Sequence, residues 1–387
     1  MIQQVSSMSQ SATAIYLHIP FCSRKCGYCD FNAYSGYKEG TKTRYVEALC
    51  REIEAAGDGS QIQTIFFGGG TPTNLASSDL ARILTTLKNH FVIATDAEIS
   101  LEANPSDADQ GYLEALRQAG FNRISFGVQT FNNRLLKLID REHSGETARS
   151  AIEQARAAGF DNVSLDLMFG LPRQTISDFE RTLDTALALE IPHLSIYGLI
   201  VEEGTPFFAR RERGKLPLPP ESVEATMFGK ALEKTAEAGL TRYEISNYAR
   251  LGYACRHNRV YWRNEPYFGL GAGATGYLNG ARRVNIRRPS AYIEAALAGK
   301  ELAITQETER LTQEATMGET MMLGLRLAEG IALDDFAERF GVRAETHWSQ
   351  TIATLTTQGL LERTATHLRL TDPKGLFLAS EAMATFI

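Results

Sequence analysis

The chain has 387 residues, 43% of them hydrophobic and 22% charged, which is enough for one large domain and a smaller one, each with a buried core. A formal net charge of -6 excludes a global positive field that would gather nucleic acid or anionic lipid, so partners are sought among small molecules and proteins. Five cysteines are an odd number, and three of them crowd between positions 22 and 29; this suits a metal site in a reducing cytoplasm better than disulfides.

Residues 1–13 are polar and rich in Ser and Gln, with neither a basic start nor an apolar core, and they read as a disordered tail rather than a secretory signal. No apolar run approaches the ~20 residues of a membrane span. From Ala14 to about Val201 the chain alternates short apolar runs with helical periodicity. The strand candidates are AIYLHIP, TIFFGGG, EISLEANP, RISFGVQT, NVSLDLMFGLP and HLSIYGLIV; between them lie helix-like segments such as TRYVEALCREIEAA and SDLARILTTLKNHF. This predicts six βα units with a parallel sheet and right-handed crossovers, as an open doubly wound sheet or an incomplete barrel. In either, ligands bind at the carboxyl ends of the strands, where Cys22, Gly68 to Thr71, Glu102 to Asn104, Gln129 and Asp166 are expected to converge.

Past GKLPLPP, one long helix is expected over ESVEATMFGKALEKTAEAG, then a mixed linker and lid through CRHNRVYW and GLGAGATGY. From about Ser290, helices precede LLERTATHLRLTDPKG, which alternates like a hairpin, so the tail resembles a winged helix. Acidic residues outnumber basic ones there, which favours packing against the first domain or a partner protein over reading DNA.

FCSRKCGYCDF, Phe21 to Phe31, sets Cys22, Cys26 and Cys29 in a C-x3-C-x2-C array. Zinc needs four ligands in a closed site or three plus water, and His18 is the nearby candidate for a fourth. A four-iron cluster normally takes four thiolates, so three would leave one iron open to a ligand. Gly68, Gly69 and Gly70 let the backbone approach a ligand closely, Glu102 offers a carboxylate to an ammonium or a ribose, and Arg141 offers a fork to a carboxylate. Gln129 and Asp166 lie among apolar neighbours and need partners. Cys50 reads as a buried helix residue.

The array, with GGGTP after the second strand and the βα units that follow, resembles the radical S-adenosylmethionine superfamily from Ala14 to about Val201. The resemblance implies an incomplete (βα)6 TIM-like barrel with a smaller, mainly helical, winged-helix-like C-terminal domain. It implies a [4Fe-4S] cluster on Cys22, Cys26 and Cys29 whose open iron is chelated by S-adenosylmethionine, with an electron splitting the sulfonium to methionine and a 5′-deoxyadenosyl radical. The positions matching the cofactor contacts of the coproporphyrinogen-oxidase branch are Tyr16, Tyr28, Gly69, Gly70, Thr71, Glu102, Gln129, Arg141 and Asp166.

Matching extends through YEISNYA, CRHNRVYW, GLGAGATGY, ETMMLGLRLAEG and the terminal LRLT segment, so the chain resembles the heme-chaperone members of that branch. Phe31 stands where the oxidases carry a further cysteine, and the tail is shorter than their substrate-closing arm; both speak against decarboxylation of coproporphyrinogen. In HN-x-x-YW, His257 is expected as an axial heme ligand and Tyr261 and Trp262 as flat faces for the porphyrin, with Cys255 the alternative ligand and Arg256 or Arg259 for propionates. The expected domains are a tail (1–13), a radical SAM core (14–250), a linker or lid with the heme motif (251–289) and a HemN-type C-terminal domain (290–387). Heme and recipient hemoproteins, respiratory ones included, are the implied partners, and no catalytic residue is assigned.

Overall fold

The six apolar runs form β1 (Ala14–Ile19), β2 (Gln61–Gly69), β3 (Val92–Ala103), β4 (Arg123–Gln129), β5 (Asn162–Phe169) and β6 (His193–Gly198) in a computed structural model that describes residues 12–299 and 301–387. Each pairs in parallel with the next. The crossovers run through helices α1 (Glu39–Ala56), α2 (Ser77–His90), α3 (Gln110–Ala119), α4 (Asn133–Leu138), α5 (Gly145–Ala157) and α6 (Ile176–Ala188). Side-chain caps set several helix starts: Asp109 accepts from the Tyr112 N–H, and Thr175 and Asp178 form a capping box at α6. The tail expected over residues 1–13 lies, up to residue 11, outside the described residues.

Strand alternation divides this sheet into two chemistries. Leu17, Phe67, Leu101, Phe126, Leu165 and Leu194 face the helices and are fully buried in the main core. The alternate positions line the inner face and are largely polar: Tyr16 and His18, Thr64, Glu98 and Glu102, Arg123 and Ser125, Ser164 and Asp166, His193 and Tyr197. Six near-continuous apolar runs therefore hide a polar interior.

The sheet does not close on itself. The free side of β1 pairs with a later strand, and β6 pairs with an antiparallel one, so the architecture is an incomplete barrel. After β6 come α7 (Pro206–Glu212), α8 (Glu221–Glu237), β7 (Thr241–Arg242), β8 (Asn247–Ala249) and α9 (Arg256–Trp262). Residues 251–289, expected to link or cover, hold α9 and then β9 (Tyr267–Leu270), β10 (Thr275–Leu278) and β11 (Ala281–Asn285), which continue the sheet from β1. The reason is a buried carboxylate on α1. Glu52 accepts from the Gly271 N–H at 2.7 Å, from Asn285 at 2.6 Å and from the Tyr292 hydroxyl at 2.5 Å, which locks the glycine-rich stretch to the first helix.

The tail forms a second core around Met321, Leu325, Phe336, Leu361 and Leu368. Its small sheet pairs residues 331–332 and 361–363 with 367–370 behind helices at 333–340, 344–347 and 349–357, the winged-helix order expected. It docks on the barrel through Glu244, whose fully buried carboxylate faces Arg326 at 3.7 Å, and through Arg326 over the Trp262 ring at 4.3 Å. Among the described residues no helix is long and apolar enough to cross a membrane.

Candidate functional site

Cys22, Cys26 and Cys29 occupy the loop that leaves β1, and all three thiols are free. Backbone bonds shape the loop: the Cys22 N–H donates to the Tyr34 carbonyl at 2.9 Å and the Cys29 N–H to the Cys26 carbonyl at 3.2 Å. Neighbours then pin it. Asn32 Nδ2 donates to the Ala272 and Arg287 carbonyls, each at 3.0 Å, and the Phe207 N–H donates to the Gly27 carbonyl at 2.9 Å. Tyr28 meets the Phe207 ring edge-on at 6.1 Å. Burial pushes the Cys22 thiol up to about 11 and raises Cys29 as well, so these sulfurs become thiolates only in exchange for a strong counter-charge such as a metal.

Among the described residues no three His, Cys, Asp or Glu side chains are grouped to hold a metal ion. His18 is no fourth ligand: it is buried, its Nε2–H donates to the Asn32 carbonyl at 3.0 Å, and its Nδ1 accepts from the Tyr16 hydroxyl at 3.0 Å.

Beside the loop the carboxyl ends of β2 to β5 gather polar side chains. Gly69 sits at φ 112°, and a Cβ there would lie 2.6 Å from the His18 ring, so close packing at this turn demands glycine. Its N–H donates to Glu102 at 3.2 Å, and the Thr71 hydroxyl reaches the Cys22 sulfur at 3.4 Å. Burial, with the Asp166 carboxylate adding to it, pushes Glu102 up to about 8. Asp166 is also raised by burial, against a bond of 3.0 Å from Ser125. Arg123, from the inner face of β4, acts on both carboxyl groups in the opposite direction to burial. Gln129, at φ 65° in the left-handed region, turns its Oε1 to the Tyr197 hydroxyl at 3.0 Å, and the register of β4 on β5 shifts there. The sequence does not single out Ser125 or Tyr197; Ser125 is the register partner of Glu102, and Tyr197 is reached only through the Gln129 bond. Arg141 faces the cysteine loop, with Nη1 at 3.8 Å from the Cys26 sulfur and Nη2 on the Gly127 carbonyl.

The residues of the heme motif lie on α9 and just before it. His257 is fully buried on α9, Nδ1 bonded to the Thr64 hydroxyl at 2.9 Å and Nε2 to the Tyr261 hydroxyl at 2.8 Å. Its ring stacks on Phe66 at 5.3 Å, and burial drives its pKa down to about 3. Both ring nitrogens are hydrogen-bonded within the chain. Cys255 is also fully buried, its thiol donating to Glu98 at 3.4 Å. Glu98 accepts as well from the Arg256 and His257 N–H groups at 3.0 and 3.2 Å, fixing the first turn of α9 against β3. Trp262 lies under Arg326, and Tyr261 packs edge-on to Tyr267 at 4.7 Å. Arg256 bonds Asp96 at 3.3 Å and Arg259 bonds Glu329 at 3.0 Å, so the propionate candidates are engaged. In this structure the motif is a rivet between barrel and tail.

Residues 16–186 match the Radical SAM superfamily, and residues 311–378 match the HemN C-terminal domain. The chain is 39% identical over 376 residues to the heme chaperone HemW of Bacillus subtilis, covering 96% of this chain and 98% of that one. It is 40% identical over 353 residues to the heme chaperone HemW of Synechocystis sp., covering 90% and 85%. Its fold matches the coproporphyrinogen III oxidase (HemN) from Escherichia coli with a TM-score of 0.85 at 23% identity, over 98% of this chain and 91% of that one.

Proposed function

The chain belongs to the radical SAM superfamily and, within it, to the family of heme chaperone HemW, and from that premise we propose that it binds heme, a [4Fe-4S] cluster and S-adenosylmethionine and delivers the heme to recipient hemoproteins in the cytoplasm. The observation that carries the reading is end-to-end likeness to two heme chaperones in a chain whose three free thiols share the loop after β1. Cys22, Cys26 and Cys29 would hold the cluster; Tyr16, Tyr28, Gly69, Gly70, Thr71, Glu102, Gln129, Arg141 and Asp166 would surround S-adenosylmethionine. When bound, these groups supply one-electron chemistry at the sulfonium. The chain's part is to accept the ligand's ammonium on Glu102, to shape the turn at Gly69 and to keep the inner face ordered through Gln129, Tyr197 and Asp166. Phe31, 60% exposed, stands outside the loop's interior and adds no thiolate, which favours heme handling over porphyrinogen oxidation.

Heme titration of the reconstituted protein, followed by transfer to an apo-hemoprotein with and without S-adenosylmethionine, tests this. Binding and transfer are expected; protoporphyrinogen formed with turnover from coproporphyrinogen III would replace the chaperone reading with the oxidase one.

A further inference from the structure

The three thiols are not equivalent. Cys22 receives a neutral hydroxyl from Thr71 at 3.4 Å, and Cys29 receives the backbone N–H of Phe31. Cys26, the most buried, receives the guanidinium of Arg141 at 3.8 Å. The same guanidinium donates to the Gly127 carbonyl, and a Cβ at Gly127 would come 3.1 Å from Arg141 Nη2, so β4 leaves a notch for this side chain at a non-glycine's expense. Neighbouring charges are committed elsewhere: Asp140 bonds Arg24 at 3.3 Å and faces Arg210 at 3.6 Å, Glu142 accepts from Ser23 at 3.1 Å, and the Lys25 ammonium is tied to the Phe31 carbonyl at 2.9 Å. Arg141 is therefore the cation aimed at a thiol sulfur from inside the barrel.

We infer that Arg141 is a positioning residue of the cluster, holding the Cys26 thiolate by a charge-assisted hydrogen bond and raising the cluster's midpoint potential. This rests on the cluster reading above and adds to the place proposed for Arg141 beside S-adenosylmethionine, toward which its unpartnered Nε stays available. A cluster that gains one electron from a low-potential donor becomes more negative by one charge, and a fixed cation bonded to one of its sulfurs stabilises that reduced form more than the oxidised one. The hydroxyl on Cys22 and the N–H on Cys29 carry no charge, the Lys25 ammonium acts on Cys29 only through space, and the Tyr28 hydroxyl at Cys26 is neutral. As a second-sphere contact, Arg141 also orients the sulfur it touches.

The test is a dithionite redox titration of the reconstituted full chain without S-adenosylmethionine, followed by electron paramagnetic resonance, in wild type, Arg141→Gln, Arg141→Lys and Thr71→Val. Loss of one charge-assisted hydrogen bond is expected to lower the reduced-to-oxidised ratio of Arg141→Gln about tenfold at the poise that half-reduces wild type. Arg141→Lys should fall between the two, and Thr71→Val should shift less than Arg141→Gln. An unchanged ratio in a fully loaded Arg141→Gln overturns the inference, whatever happens to S-adenosylmethionine binding. If Arg141→Gln folds without a cluster while Arg141→Lys keeps one, the need for a cation at Cys26 is upheld; if both lose it, Arg141 serves the fold and the inference fails. A wild-type chain that takes up no iron and sulfide removes the cluster reading itself, a result distinct from any of these.

Discussion

The inner face of the barrel presents polar side chains at both ends, and the two ends treat them in opposite ways. At the carboxyl ends of the strands, Glu102 has the Gly69 N–H, Asp166 has Ser125 and Ser195, and burial holds both carboxyl groups above their ordinary range although Arg123 lies near. At the α9 end, Glu98 accepts three bonds and His257 has both nitrogens engaged. Residue type does not separate a ligand site from a structural joint; unfinished bonding does.

The largest effect that separates the two ends is expected from Cys26→Ser. It should abolish the iron and sulfide content and the charge-transfer absorbance of the reconstituted protein while leaving the apo-protein's unfolding midpoint nearly unchanged. A retained cluster would remove the loop from the candidate site.

His257→Ala should do the reverse. It empties a stacked, doubly bonded site and orphans Thr64 and Tyr261, at a cost of about 2–4 kcal/mol in denaturant unfolding near pH 7, with cluster content and heme affinity kept. Loss of heme binding by a folded variant would return His257 to the list of ligands. The pH dependence has a definite sign. The folded chain holds His257 neutral down to about 3, whereas the unfolded chain takes up a proton near its ordinary 6.5. Stability present above pH 6.5 is thus lost as pH falls towards 3, and the variant should lose less over that window.

Glu102→Gln sharpens the opposite end with a smaller effect of opposite pH sign. The folded carboxyl stays protonated up to about 8 while the unfolded one ionises near 4.5, so wild-type stability declines as pH rises between those values. The variant should match wild type below pH 4.5 and exceed it by roughly 2–4 kcal/mol at pH 8.5, yet bind S-adenosylmethionine more weakly by isothermal titration. Equal stability at both pH values would place Glu102 in a solvated position.

The smallest change is expected at the rim of the joint. Arg259→Ala removes an exposed pair with Glu329, which Arg263 also bonds at 3.1 Å, and should cost under about 1 kcal/mol. A cost of several kcal/mol would make α9 and the tail one cooperative unit at that surface.

Much of the scaffold was readable beforehand because strand and helix periods differ. The six βα units, the helix over residues 221–237 and the hairpin of the tail all follow from apolar spacing, and the cysteine loop and Gly69 follow from residue types that few local structures require. The short helix α4 escaped notice because six residues carry less than two turns of pattern. Ser125 and Tyr197 escaped because a serine or tyrosine acquires its role only from the strand beside it. The fate of residues 251–289 depended on Glu52, more than two hundred residues earlier, whose helix reads as ordinary amphipathic sequence.

Local order along the chain therefore decided which elements form and which of their ends carry chemistry, since periodicity and turn chemistry act between near neighbours. Long-range contact decided the rest. It closes Thr64 and Phe66 around the bonded His257 and Tyr261 and brings the Arg141 guanidinium to the Cys26 sulfur, neighbours that the local sequence does not name. Hydrogen-bond saturation and desolvation are properties of a folded neighbourhood, and no stretch of sequence holds them alone.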